Sequence, residues 1–410
     1  MKRVSTRKLR RAKSAQIAAR PRRLRPLAVS LARYTSMVAV AGALFASTRS
    51  SQAASFSWDQ TGGGALGGSG IWNNTNTNWF DGGADVMWPG TGNDAVFAGP
   101  SPYTVSVDST SSGAVIVNNI SFTSPGIILQ GNTAGDALTL NNSTISTSLA
   151  SSTVDSTLNV VLTGTTGLIK TGSGALALGG ANTFTGGVTI SGGILRLNNA
   201  SALNSNAVVD NGTLDLNFNN VSIGDLSGSG TITDNDAVAG ASVLTVNQAT
   251  NQTFSGTFAT GVGARTLGLI KTGSGTLTLT GANAGLQGGF ATAGGVTLSN
   301  GILRAQTSAT ALGTATVVIN GAGTTLQLAS DSSTSFNNAT VVSANTQITV
   351  DRVTSAATAV THTLGTLLLG NNTLTVQGGN NLTSGVLGLT FGATTLNGIG
   401  TAAASRVRVA

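Results

Sequence analysis

From Tyr103 onward, apolar and polar residues alternate in short runs, and no stretch carries the stripe of an amphipathic helix. The clearest runs are ALAL at 175–178, ILRL at 194–197 and TLDL at 213–216. Alternation at period two gives each strand one buried and one wet face. Leu176, Leu195 and Leu214 hold matching places in these runs and lie 19 residues apart each time, so the strands recur in phase. Further strands are predicted at 114–117, 120–122, 127–129, 137–140, 158–162, 347–350, 363–369, 373–376 and 386–391. Gly-Asn, Asn-Gly, Ser-Gly and Asn-Asn pairs between the runs supply turns with accessible positive φ. With 6 Pro in 410 residues, the ladders are rarely interrupted.

The stretch 167–204 reads GLIKTGSGALALGGANTFTGGVTISGGILRLNNASALN, and it returns from Gly268 as GLIKTGSGTLTLTGAN and from Gly294 as GGVTLSNGILR. The two starts lie 101 residues apart, whereas Val188 matches Val296 at 108, which places a seven-residue insertion within 285–293. Leu277 and Leu303 are 26 residues apart, and removing the insertion restores 19. Strands this short cannot each bury enough surface to be stable alone, but stacked like on like they can, which is the logic of a solenoid. An antiparallel sandwich is the rival, because Asn211-Gly212 and Asn320-Gly321 are good hairpin turns. It explains the turns but not the 19-residue phase. About 15 rungs at roughly 4.8 Å each would extend roughly 70 Å.

The motifs GLIKTGSGTLTL, GAN, GGVT and GILR closely resemble the autotransporter-associated β-strand repeat of surface and secreted proteins of Gram-negative bacteria. The resemblance implies an all-β, right-handed parallel β-helix that crosses the outer membrane, and it marks no individual residue as functional. It also implies a C-terminal membrane barrel ending in an aromatic residue. The tail Ser405 to Ala410 and the lack of Trp after Trp88 do not fit such a barrel, so the expectation is a truncated coding sequence or another export route.

Charge divides the chain. Residues 1–49 hold 13 of the 21 Lys and Arg and none of the 14 acidic residues. Beyond them eight basic residues face fourteen Asp, a net of −6, so the overall basicity is not a nucleic-acid signal. The apolar run 37–46 and the small residues Ser51-Gln52-Ala53-Ala54 complete an extended secretory signal. The expected domains are a signal peptide at 1–54, a Trp-rich N-terminal cap at 55–100, and a β-helical repeat region at 101–410 with copies at 167–216 and 268–328. The expected location is the cell surface, outer membrane or exterior of a Gram-negative bacterium.

Trp58, Trp72, Trp79 and Trp88 are the only tryptophans. A solenoid exposes the apolar end of its core unless something covers it, and large rings cover it efficiently. The alternative role is a carbohydrate-stacking surface; Phe290, in the insertion GLQGGFATA, is a separate candidate for binding at the tip of an inserted loop. Lys170 and Lys271, like Arg196 and Arg304, occupy equivalent repeat positions and are expected to point outward and blunt sheet-to-sheet sticking; a ligand-binding row is the alternative. The pairs Asn141-Asn142, Asn198-Asn199 and Asn371-Asn372 offer hydrogen bonds between rungs.

Catalytic chemistry is represented by absences. The chain has no Glu, no Cys and a single histidine, His362, expected to be a solvated strand residue. Gly62 to Gly67 satisfies GxGxxG without a following helix and is read as a glycine-rich loop. Asp234-Asn235-Asp236 is read as a turn ahead of a cation site. No cofactor is expected. The favoured reading is a non-catalytic passenger, a stalk or adhesin, whose partners are a surface polysaccharide, a host or neighbouring cell surface, and the outer-membrane export machinery. The alternative is a β-helix polysaccharide lyase or hydrolase, or a carbohydrate-binding protein, for which a cluster of carboxylates would be needed.

Overall fold

The computed structural model describes residues 53–397 and 406–409, apart from 143, 150–153, 239, 263–264 and 289–293. The chain divides into two compact units, Met1–Gln52 and Ala53–Ala410; the basic leader and its apolar run lie outside the described residues.

The second unit is an all-β solenoid of about 11 turns. Its strands run parallel and are distributed over three ladders, with some turns leaving one ladder without a strand. The first ladder runs from Ile120–Phe122 through Leu168–Thr171, Val188–Ile190 and Thr276–Leu279 to Thr373–Gly378, in a sheet of 17 strands. The second has nine strands, from Gly70–Trp72 to Thr257–Phe258, and includes Ala175–Leu178 and Ile194–Leu197. The third has three strands early (Val115–Val117, Ala137–Leu140, Val161–Thr163) and eight later, from Val221–Ile223 to Thr394–Leu396. Among the described strands, antiparallel pairing occurs only where Trp79–Phe80 meets Ser57 and Trp58 on one side and Asp85–Val86 on the other.

The leucine phase is written into the pairing. Leu176 sits beside Leu195, Leu195 beside Leu214, and Leu277 beside Leu303. Each of these side chains is buried in one continuous apolar core. Other turns are longer: Ile120 pairs with Ile145, and Thr340 with Leu367. Turns of variable length make fewer rungs than a uniform 19-residue period allows, because corners absorb residues without adding strands.

Corners also divide two stretches that alternation alone joins. The predicted strand at 158–162 is broken at Asn159-Val160 into Val154–Leu158 and Val161–Thr163, and that at 363–369 into Thr361–Thr363 and Leu367–Leu369.

The two repeat copies do not stack face on face. The LIKT strand lies on the first ladder in copy one and on the third in copy two; the following ALAL or TLTL strand lies on the second and the first, respectively. Arg196 therefore stands on the second ladder and Arg304 on the first. Equivalent residues of the two copies form no row.

Candidate functional site

The repeat's charged residue faces the opposite way from the expected outward one. Lys170 and Lys271 are fully buried, while Ile169, between buried Leu168 and Lys170, is 38% exposed. Three backbone carbonyls explain the inversion. Lys170 Nζ donates to the oxygens of Thr171, Gly172 and Gly192 at 2.8, 3.1 and 3.3 Å. Lys271 Nζ donates to those of Thr272, Gly273 and Asn300 at 2.7, 2.9 and 3.1 Å. An ammonium has three N–H donors, so each lysine satisfies its own corner and ties it to the next turn. The glycines of KTGSG and of the following turn make room. Gly193 and Gly301 have φ of +65° and +68°, and a Cβ on Gly193 would stand 2.9 Å from Lys170 Nζ. Burial pushes the Lys271 ammonium down to about 8.

A second clamp, missed in the strand pattern, is the asparagine of the repeated Gly-Ala-Asn. Asn182 Oδ1 accepts from Leu162 N at 2.8 Å while its Nδ2 donates to Ala202 O at 2.8 Å. In copy two, Asn283 Oδ1 accepts from Phe258 N at 2.9 Å and Nδ2 donates to Ala311 O at 2.6 Å. Both side chains are buried, and both stand where a ladder lacks a strand, so one amide replaces the missing backbone pairing between three successive turns. Its identity in both copies was the available signal. Of the asparagine pairs, Asn198 accepts from Asn217 across turns, and Asn199 donates to Gly179 O.

Trp58, Trp72 and Trp79 are fully buried and Trp88 is 3% exposed. They interlock edge to face, with centroids 4.9 Å apart for Trp72–Trp79 and 5.1 Å for Trp72–Trp88, and the stack continues from Phe97 to Phe122 at 5.3 Å. Trp58 Nε1 donates to Gly68 O and Trp88 Nε1 to Ile116 O. A ring stacks on a sugar only through an open face, and none of the four presents one. Phe290 lies outside the described residues; Leu286, at the start of the same insertion, is buried and bridges to Leu267.

The glycine-rich loop is an anion nest already filled from within. Asp59 Oδ1 accepts from Gly62 N at 2.8 Å and Oδ2 from Gly64 N at 2.7 Å, leaving no cradle for a phosphate. Asp234 forms a buried pair with Arg265, Nε to Oδ2 at 2.7 Å. Among the described residues no group of three His, Cys, Asp or Glu is placed to hold a metal ion. His362 is on a strand but fully buried, not solvated. Its Nδ1 accepts from Thr334 N, which fixes Nε2 as the donor to Asp351 O at 3.0 Å, and burial lowers its pKa. Asp210 is among the buried groups left incompletely paired. It is fully buried, Oδ2 has no partner, Gly212 N alone donates to its other oxygen, and burial raises it to about 7.

Comparison with known proteins finds the repeat in both copies. The passenger-associated-transport-repeat family matches at residues 168–197 and 269–305. Over 156 residues, 37% of this chain, the sequence is 37% identical to the adhesin BmaC autotransporter of Brucella suis biovar 1 (strain 1330). The match spans 4% of that relative's length. No solved structure matches the chain.

Proposed function

We propose that this β-solenoid, an autotransporter passenger-like repeat protein, is an exported, non-catalytic surface protein that serves as an adhesive stalk. The observation that carries the reading is the lysine clamp. In each copy an ammonium inside one turn also donates to a carbonyl of the turn that follows, Gly192 for Lys170 and Asn300 for Lys271. Each docked turn thus prepares a site for its neighbour, and stepwise stacking outside the cell would favour net movement through the outer membrane. The same logic assigns the leader at 1–54 to export, with cleavage after Ala53 or Ala54, and the tryptophan cluster to closing the core's first turns. Partners under this reading are the outer-membrane export machinery and a neighbouring cell surface, not nucleic acid.

The test displays the full chain, joined to an outer-membrane barrel, on a Gram-negative host. Protease accessibility reads export, and cell adhesion against the barrel alone reads function. The chain should reach the surface and increase adhesion, and Lys170→Met with Lys271→Met should slow surface arrival. Equal arrival for the variant removes the stacking role; adhesion no greater than the barrel's removes the adhesive one.

A further inference from the structure

We propose that the first ladder carries, across three consecutive turns near residues 323–380, a binding groove for a neutral polysaccharide; this rests on the adhesive reading and names its ligand class. The groove, of about 430 Å³, is lined by Thr324, Thr325, Asn345, Gln347, Thr373 and Thr375 with Gly323 at its rim. A second hollow continues from it along Gln327, Thr349 and Gln377, sharing Thr325 and Gln347 with the first.

Register makes this a two-column array. Thr325, Gln347 and Thr375 are direct neighbours on successive strands, as are Gln327, Thr349 and Gln377. Adjacent strands are about 4.8 Å apart, a scale close to the repeat of sugar rings along an extended chain. The columns begin only after Ile302 and Arg304, so the array is a local feature.

The free bonding groups define the ligand. Gln347 Nε2 spends one donor on Thr349 Oγ1 at 2.9 Å, which leaves its Oε1 and second N–H. Thr325, Thr375 and Gln377 side chains have no hydrogen-bond partner among the described residues. Hydroxyls and amides that both donate and accept match a polyol, whose every hydroxyl does the same. The charged groups beside the columns are hydrogen-bonded to neutral protein amides. Asp351 is 4% exposed and accepts from Arg352 N, Asn381 N and Gln327 Nε2. Arg304 Nη1 donates to Gln327 Oε1 at 3.3 Å. The acidic surplus beyond the leader, fourteen Asp against eight basic residues, repels polyanions.

The experiment applies the purified full chain to printed oligosaccharides of plant, animal and bacterial origin, each set divided into neutral and acidic members. The expected result is binding to neutral members, weakened at least about tenfold by Gln347→Ala with Gln377→Ala, at unchanged melting temperature; the printed set that binds identifies the source. Should that variant melt early, Thr375→Val removes one hydroxyl with almost no change in volume and should weaken binding in the same direction. Binding confined to acidic glycans, binding indifferent to these substitutions, or no binding to any glycan overturns the proposal. In each of those cases adhesion of the barrel-displayed chain still decides the adhesive reading independently.

Discussion

At the scale of single residues, the repeat is held by polar groups buried inside an apolar stack. Lys170→Met keeps the length of the side chain but strips three carbonyls of their donor, and should destabilise by about 3 kcal/mol in a denaturant titration. Three groups impose a pH dependence on stability. Asp210 is raised from 3.8 to about 7, so the folded state holds its proton longer than the unfolded chain, and the stability it supplies is lost as pH rises from about 4 to 7. Asp210→Asn should raise the melting temperature at pH 8 and flatten that slope. His362 acts with the opposite sign: its lowered pKa means stability is lost as pH falls below 6.5, and this slope should emerge once Asp210 is replaced. Lys271, lowered from 10.5 to about 8, should make the protein more stable as pH rises between those values, an effect abolished by Lys271→Met. A melting temperature constant from pH 4 to 10.5 would contradict all three assignments.

At the scale of elements, strands were legible and corners were not. The side-chain period of two reports which residues face inward, so Leu195 and Leu303 could be placed in the core from the sequence. The same rule misplaced Lys170 because hydrophobicity is a poor guide where a corner turns its carbonyls inward: Ile169 takes the outer position and the cation the inner one. The asparagine clamps were hidden for a related reason, since they occupy gaps between strands. Asn182→Ala leaves Leu162 N and Ala202 O without partners in the interior and should cost about 2 kcal/mol or more. Asn283→Ala should cost a similar amount, because its bonds are equivalent. Melting curves of the two variants that match the parent would show that the amides do not bridge the turns.

At the scale of the whole molecule, the tryptophan cluster and the charge asymmetry both mark the N-terminal part of the chain. With all four indoles buried, emission should be blue-shifted and poorly quenched by acrylamide, and should move to the red only when the solenoid unfolds. Strong quenching in the native protein would place at least one ring at the surface. N-terminal sequencing of the exported protein should begin at Ala54 or Ser55, and removal of the basic arm should turn the net charge from +7 to negative. The candidate binding groove belongs to this scale as well. Thr325, Gln347 and Thr375 lie 22 to 50 residues apart in sequence, and only the turn lengths of this particular solenoid bring them side by side.

Sequence by itself determined the all-β class, the repeat, the inward leucines and the segregated basic leader, because these depend on local alternation, self-similarity and residue counts. Tertiary structure decided the number of turns, the face on which each copy sits, and the burial of Lys170, Lys271 and His362. Those outcomes depend on how many residues each corner absorbs and where its carbonyls point. Corner geometry is set by contacts with the turns before and after, so it cannot be read from any one turn alone.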